Sequence, residues 1–235
     1  MSIGFRVFLR RDLPPKDLID AYKTLPAANV ADCMNRLSAM NSAIRLMNGP
    51  FPGSACCMAG PALTVKARPG DNLMLHKALN MATEGDVIVV SNEGDRSQAL
   101  MGEIMAAYAA YKKVAGIVFD GPVRDLDALQ ELGIPVYATG TTPGGPFKEG
   151  PGEINVPIAC GNIQVEPGDI ILGDTDGVIV IPRRDAAALL EAAKAFSAND
   201  KAKADAARNG TADRTWVEKS LAAKGCEIID ATYIG

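Results

Sequence analysis

Most of the polar side chains that could do chemistry fall within residues 102–127. Glu103 opens an alanine-rich, helix-forming run, and an apolar strand pattern follows over residues 116–119. Twenty residues separate Glu103 from Arg124, and Asp125 comes directly after that arginine. A helix, turn and strand of this length can return both ends to one edge of a sheet, where open α/β sheets hold ligands. The spacing therefore predicts that two carboxylates and a guanidinium converge at one site.

Each of these residues also has an ordinary structural interpretation. Arg124 and Asp125 could form an exposed ion pair in a surface turn, which contributes little to stability. Glu103 could simply complement the positive end of a helix dipole. Asp71 and Asn72 follow a Pro-Gly turn and are suited to capping a helix, although Asn72 could also contact substrate. These alternatives remain open at the level of the residues alone.

Composition limits the class of protein. The 235 residues contain 48% hydrophobic but only 5% aromatic residues, which indicates an aliphatic core in an α/β protein, and no linker or repeat marks a boundary. A net charge of -4 provides no basic surface for nucleic acid. The apolar runs are too short to span a bilayer, and the N-terminus has no apolar export segment. We therefore expect a cytoplasmic single domain with neither nucleic acid nor membrane as a partner.

The chain alternates between helix and strand patterns. Residues 139–153 form a long loop with five glycines and three prolines, and loops of this length are usually functional or mobile. The Asp174-Thr175-Asp176-Gly177 sequence is typical of a hairpin turn, because position twelve of a calcium loop would need glutamate and Asp185 stands there. We predict helices up to Tyr22 and over 29–37, 72–80, 103–111, 185–208 and part of 215–235, and strands over 61–67, 87–90, 116–119, 133–138, 170–172 and 178–182.

Cysteine and histidine provide little for catalysis. The cysteines are Cys33, Cys56, Cys57, Cys160 and Cys226, an odd and scattered set without a C-x-x-C pair. This pattern predicts reduced, mostly buried thiols rather than a zinc site or disulfide framework. His76 is the only histidine, which argues against Cys-His or Ser-His-Asp machinery. We expect His76 to be a structural side chain or a subunit contact.

Several motifs, taken together and in order, resemble those of the RraA-like family. The resemblance covers roughly residues 28–185, and within the family it is closest to the divalent-metal-dependent 4-hydroxy-4-methyl-2-oxoglutarate / 4-carboxy-4-hydroxy-2-oxoadipate aldolases. The motifs are Pro69-Gly70-Asp71-Asn72-Leu73-Met74-Leu75-His76, Gly85-Asp86-Val87-Ile88-Val89-Val90, Gly102-Glu103, Gly121-Pro122-Val123-Arg124-Asp125, Asn155-Val156-Pro157-Ile158, Glu166-Pro167-Gly168-Asp169 and Asp174-Thr175-Asp176-Gly177-Val178.

The resemblance implies a fold and an assembly. The fold would be a single β/β/α swivelling-type (RraA-like) α/β domain over residues 1–235. A helical segment over about 1–40 and a helical tail over about 185–235 would flank it. Members of the family assemble as homotrimers, or as hexamers of two trimers, with sites between subunits.

The resemblance also implies roles for individual residues. Asp125 would bind Mg2+ or Mn2+, Arg124 would hold the pyruvyl oxygen, and Glu103 would contact metal-bound water. The aldolases carry aspartate where this chain has Glu103. Gly102 and the backbone amides of Ile104 and Met105 would lie against the pyruvyl carboxylate, with Asn72 near the substrate. Glu218 would reach the metal water of a neighbouring subunit.

The implied reaction is cleavage of 4-hydroxy-4-methyl-2-oxoglutarate or 4-carboxy-4-hydroxy-2-oxoadipate to pyruvate plus pyruvate or oxaloacetate, with oxaloacetate decarboxylation as a related activity. Either reaction leaves a pyruvate enolate that needs a Lewis acid or a lysine imine, and Lys66, Lys77 and Lys112 lie in no evident pocket pattern. Two other functions remain open. One is regulation of ribonuclease E without catalysis, although such members lack the acid that Asp125 supplies. The other is cleavage of another 2-oxo acid.

Overall fold

The computed structural model describes residues 2–49 and 58–233. Two units are distinguished along the chain, Met1–Ser197 and Ala198–Gly235. The first contains the sheets and the predicted site. The second contains the end of a long helix, Ala186–Arg208, and a final helix, Thr215–Ala223. Cys56 and Cys57, predicted to be reduced, lie outside the described residues; Cys33, Cys160 and Cys226 are free thiols.

Strands and helices alternate over residues 58–138, and consecutive strands follow from there to residue 181. In chain order the strands are β1 Phe5–Val7, β2 Arg45–Leu46, β3 Met58–Ala67, β4 Val87–Ser91, β5 Gly116–Phe119, β6 Val136–Ala138, β7 Gly152–Ile154, β8 Ile158–Cys160, β9 Ile163–Val165, β10 Ile170–Asp174 and β11 Gly177–Ile181. The helices are α1 Lys16–Tyr22, α2 Ala27–Cys33, α3 Leu73–Met81, α4 Glu103–Tyr111, α5 Leu126–Glu131, α6 Ala186–Arg208 and α7 Thr215–Ala223.

The main sheet has the order β1-β7-β3-β4-β5-β6-β2. Strands β3, β4, β5 and β6 run parallel, with Val87 opposite Gly116 and Val118 opposite Tyr137. Because these strands are covered on both faces, β4 and β5 are apolar without alternation, as parallel strands usually are. Their carboxyl ends meet at one edge, where the loops that follow β4 and β5 begin.

Two apolar layers cover the two faces of the parallel strands. Ile88 and Ile117 face α3 and α4 in one cluster. Val89 and Val118 pack in another cluster with the β8–β9 hairpin. The long β3 strand extends beyond the main sheet to pair with β10, which forms the predicted hairpin with β11. This packing fixes α3 and α4 on one face of the main sheet, which is the face that carries the predicted site.

One predicted helix is wrong at both ends. We expected a helix over residues 29–37, but α2 begins at Ala27 and ends at Cys33. Asn35 and Arg36 have φ angles of 55° and 62°, which a right-handed helix does not allow. The expected helical N-terminal segment contains α1 and α2 but also β1, which pairs with β7 near the middle of the chain. In the described part of the chain, no helix is long and apolar enough to cross a membrane.

Candidate active site

The predicted site forms where the loop after β5 meets the beginning of α4. Two backbone hydrogen bonds join these segments: the Leu100 N–H donates to the Pro122 carbonyl at 3.0 Å, and the Arg124 N–H donates to the Met101 carbonyl at 2.9 Å. Met101 is 1% exposed and Val123 is fully buried, so both segments are anchored in the core. The buried and hydrogen-bonded backbone therefore holds Arg124 next to the first residue of α4.

Asp125 is bound directly to the first residue of α4. Its Oδ2 accepts a hydrogen bond from the Glu103 backbone N–H at 3.0 Å and lies 3.7 Å from Arg124 Nε. Both contacts use Oδ2, and among the described residues no protein donor lies within hydrogen-bonding distance of Oδ1. Asp125 has a φ angle of 58°, a left-handed conformation that is uncommon outside glycine and often occurs at functional sites.

Gly102 makes this close approach possible. A Cβ atom at position 102 would lie 2.2 Å from Asp125 Oδ2 and 3.1 Å from Arg124 Nε. The Gly102 backbone is extended, with φ of -136°, so any residue could adopt its conformation. Glycine is needed here because two side chains occupy the space where its own would be.

Glu103 joins the cluster through its backbone rather than its carboxylate. Its side chain is exposed and is absent from the lining of the cleft. The first N–H groups of a helix have no partner within the helix. The Glu103 N–H binds Asp125, and the N–H groups of Ile104 and Met105 make no hydrogen bond within the described part of the chain. Unpaired N–H groups at a helix N-terminus favour anions, as does the helix dipole.

A cleft of about 320 Å³ lies over this cluster. Its lining includes Asn72, His76, Ile104, Arg124, Asp125 and Lys148. Asn72 is 2% exposed, and its Nδ2 donates to the Leu100 carbonyl at 2.9 Å, so its amide is fixed at the base of the cleft rather than capping α3. Burial, and then the charge of Lys148, lower the pKa of His76. The imidazole is therefore neutral near pH 7.

Sequence reasoning missed His76 and Lys148 as residues of this cleft. We expected His76 to be structural or a subunit contact, which stays a prediction; the structure adds that His76 lines the cleft. Lys148 belongs to the long loop over residues 139–153, whose length and glycine content indicated function without identifying a residue. Glu218 lies in the first turn of α7 in the second unit, and its predicted contact with a neighbouring subunit remains a prediction.

The donor set suits a hard dication in one respect. Asp125 offers a carboxylate oxygen that accepts no hydrogen bond from the described residues and lies beside an open cleft. Mg2+ commonly binds through one or two carboxylates while keeping several waters. No group of three or more His, Cys, Asp or Glu side chains is close enough to enclose a metal within residues 2–49 and 58–233. The site therefore fits a metal ion that a bound substrate helps to hold, rather than a structural metal enclosed by protein side chains.

Comparison with known proteins establishes the family. The sequence profile of the RraA-like family, described as Aldolase/RraA, matches residues 27–180. The chain belongs to this family. A relative from Halalkalibacterium halodurans, named "Putative 4-hydroxy-4-methyl-2-oxoglutarate aldolase", is 38% identical over 206 residues, which cover 87% of this chain and 96% of that protein.

Two solved structures in the same family carry a different name. The RNA-processing inhibitor RraA from Thermus thermophilis is 31% identical, with a TM-score of 0.59 over 66% of this chain and 91% of that one. RraAS2 from Streptomyces coelicolor, described as an unusual member of the RNase ES inhibitor RraA protein family, is 26% identical, with a TM-score of 0.71 over 82% and 98% of the two chains. The α/β fold expected from the sequence is thus confirmed.

Proposed function

We propose that this protein is a metal-dependent carbon–carbon lyase that releases pyruvate from 4-hydroxy-2-oxo acids such as 4-hydroxy-4-methyl-2-oxoglutarate or 4-carboxy-4-hydroxy-2-oxoadipate. Oxaloacetate decarboxylation would share the same enolate. The observation that carries this proposal is the placement of the Asp125 carboxylate, fixed by the Glu103 amide and flanked by Arg124, in an open cleft. The name of the Halalkalibacterium halodurans relative supports the choice of substrate class.

The bond changes define what the site must supply. A base removes the proton of the C4 hydroxyl, C4 becomes a carbonyl carbon, and the C3–C4 bond breaks. The bonding electrons move to C3 and the C2 oxygen, which gives the enolate of pyruvate. A proton added at C3 then forms the methyl group. The most demanding requirement is therefore stabilisation of negative charge on the C2 oxygen.

Arg124 would stabilise this charge. Arg124 lines the cleft, and its guanidinium lies beside the Asp125 carboxylate. A Cβ atom added at Gly145 would lie 3.1 Å from Nη1, so the backbone of Gly145 is also close to the guanidinium. Removing a fixed donor at an oxyanion typically costs about 3 kcal/mol. A guanidinium keeps its charge at any pH relevant to the enzyme.

The other groups bind and orient the substrate. The N–H groups of Ile104 and Met105, which make no hydrogen bond within the described residues, would bind the C1 carboxylate of the 2-oxo acid, because a helix N-terminus favours anions. Asp125 would hold Mg2+ or Mn2+ through the oxygen that has no protein donor. When bound, such a dication supplies a Lewis acid for the 2-oxo group. The Glu103 carboxylate is exposed and outside the lining of the cleft, so it would serve proton transfer through a bound water rather than by direct contact with the substrate.

The assay measures pyruvate release from oxaloacetate and from 4-hydroxy-4-methyl-2-oxoglutarate with Mg2+ or Mn2+, with and without EDTA. We expect turnover of at least one substrate that EDTA abolishes and added metal restores. The same assay is run on Asp125→Asn, which removes the carboxylate assigned to the metal. Asp127→Asn is its matched control, because Asp127 is an exposed acid in the first turn of α5. Tight binding to a ribonuclease together with no turnover of any 2-oxo acid would favour a regulator instead.

A further inference from the structure

The loop over residues 139–153, here called the glycine-rich loop, forms one wall of the candidate cleft. It is held to the rest of the domain along its length. The Thr142 N–H donates to the Val123 carbonyl at 3.1 Å, and the Ala99 N–H donates to the Gly144 carbonyl at 2.8 Å. Lys148 extends from the later part of this loop into the lining of the cleft. The position of Lys148 therefore depends on the contacts that hold this later part of the loop.

The buried carboxylate of Asp71 binds the loop immediately after Lys148. Its Oδ2 accepts the backbone N–H groups of Glu149 at 2.6 Å and Gly150 at 2.9 Å. Its Oδ1 accepts the Leu73 N–H at 2.9 Å at the beginning of α3. Asp71 is only 2% exposed. One oxygen thus caps a helix, whereas the other binds a loop nearly eighty residues further along the chain.

The residue immediately before Lys148 is also fixed. Phe147 donates its N–H to the Gly70 carbonyl at 2.8 Å and accepts the Asn72 N–H at 2.9 Å, which makes a short parallel bridge beside Asp71. The backbone of Lys148 is therefore held from both sides by residues 70–72. Its side chain is exposed and makes no ion pair in the described part of the chain.

We propose that Asp71 is a positioning residue that latches the glycine-rich loop so that Lys148 lies over the cleft beside His76. This inference deepens the proposed function, because Lys148 then adds a positive charge for an anionic 2-oxo acid opposite Arg124. The neutral amide of asparagine cannot replace Asp71. If the asparagine oxygen takes the position of Oδ2, the asparagine NH2 group faces the Leu73 N–H, and two donors oppose each other. If the amide is flipped, the NH2 group faces the N–H groups of Glu149 and Gly150 instead.

The first test needs no ligand and uses the sole histidine as a reporter. The charged groups that line the cleft with His76 are Arg124, Asp125 and Lys148. The imidazole is titrated by NMR in the wild type, Asp71→Asn, Lys148→Met and the double variant. Because Lys148 contributes to the low pKa of His76, we expect both single variants to raise that pKa, and the double variant to raise it no further than Lys148→Met.

Two results would overturn the latch. One is an unchanged His76 pKa in Asp71→Asn while Lys148→Met raises it; the other is additive shifts in the double variant. Asp95→Asn is the matched control, since Asp95 accepts the Ser97 N–H at 3.0 Å in a local turn and makes no hydrogen bond to the glycine-rich loop within the described residues. This control should leave the His76 pKa where it is in the wild type.

The second test asks whether the latch serves a 2-oxo acid. Binding of 2-oxoglutarate, which has no C4 hydroxyl to cleave, is measured by calorimetry with Mg2+. We expect Asp71→Asn and Lys148→Met each to weaken binding by roughly tenfold, and the double variant to lose no more than the worse single variant. A hundredfold loss in the double variant would contradict coupling. If the variants raised the His76 pKa but bound 2-oxoglutarate as the wild type does, Asp71 would still position the loop. The loop would then have no role in binding a 2-oxo acid, and this part of the proposal would be rejected.

Discussion

The backbone N–H of Glu103 donates to Oδ2 of Asp125 at 3.0 Å, although twenty-one residues separate the two along the chain. This bond joins the beginning of α4 to a residue in a left-handed conformation at the beginning of α5. It leaves the length of the side chain at position 103 without effect on the hydrogen bond that fixes Asp125. The contact that fixes Asp125 uses the backbone, which does not depend on the side chain at position 103.

Gly102→Ala should disable the site without unfolding the protein. Its Cβ would lie 2.2 Å from Asp125 Oδ2, so the carboxylate must leave the Glu103 N–H. A displacement of about 1 Å at a catalytic group can cost about a hundredfold in rate, and we expect a loss of that order in pyruvate release. Gly145→Ala is the comparison: its Cβ would meet the flexible end of Arg124 at 3.1 Å, a contact that a small shift of the guanidinium relieves, so we expect a smaller loss than in Gly102→Ala. Equal losses in both variants would count against this explanation.

Arg124→Lys should lower kcat while leaving metal affinity unchanged. Lysine keeps the charge but lacks the planar fork that Arg124 presents beside Asp125. Loss of one oxyanion donor predicts a decrease in kcat on the order of a hundredfold or more. Steady-state kinetics and Mn2+ titration of the same preparation separate the two effects. A variant that bound Mn2+ poorly but turned over at the normal rate would contradict the assigned role.

The protein should lose stability in acid partly through His76. Burial, and then Lys148, lower its pKa below the usual 6.5, so the unfolded chain takes up a proton more readily than the folded protein. The unfolding free energy therefore falls as pH drops through about 6.5 and below. His76→Gln removes this contribution, so wild type should lose more stability than the variant between pH 8 and pH 5. Urea unfolding at both pH values measures the difference, and an equal loss in both proteins would refute it.

Arg11→Met should destabilise the fold. Arg11 Nη2 pairs with Asp86 Oδ1, and the two side chains are 9% and 2% exposed. Asp86 Oδ2 also accepts the Thr83 N–H at 2.8 Å. Removing the cation leaves a buried carboxylate without its partner, at a cost of about 3 kcal/mol. Chemical denaturation measures this cost. Lys113→Met is the control, since its pair with Glu84 is 3.5 Å long and mostly exposed, and should cause no measurable change.

Much of the fold could be predicted because local patterns and packing agree. The apolar runs of β4 and β5 and the alanine-rich α4 indicated the elements that position Arg124 and Asp125. The end of α2 could not be predicted, since nothing in the residue types required left-handed conformations at Asn35 and Arg36. Strands of two or three residues, such as β1 and β2, depend on distant partners and have no periodicity of their own.

The chemical centre of the site could be predicted more fully than its walls. Arg124 and Asp125 are adjacent in sequence, and one helix–turn–strand unit returns them to Glu103. Lys148 reaches the cleft because the Asp71 carboxylate accepts the Glu149 N–H and because Phe147 makes two backbone hydrogen bonds with residues 70 and 72. Which distant N–H groups a buried carboxylate or carbonyl accepts is not evident from the residue types, so the contact between Lys148 and the cleft had to come from the structure.

Titration of Mn2+ into the wild type, Asp125→Asn and Asp127→Asn, followed by electron paramagnetic resonance of the free ion, tests the central claim most directly. We expect wild type and Asp127→Asn to bind Mn2+ alike. We expect Asp125→Asn, folded to the same circular dichroism spectrum, to lose affinity by about tenfold or more. Equal Mn2+ affinity in all three proteins would contradict the claim that Asp125 holds the metal.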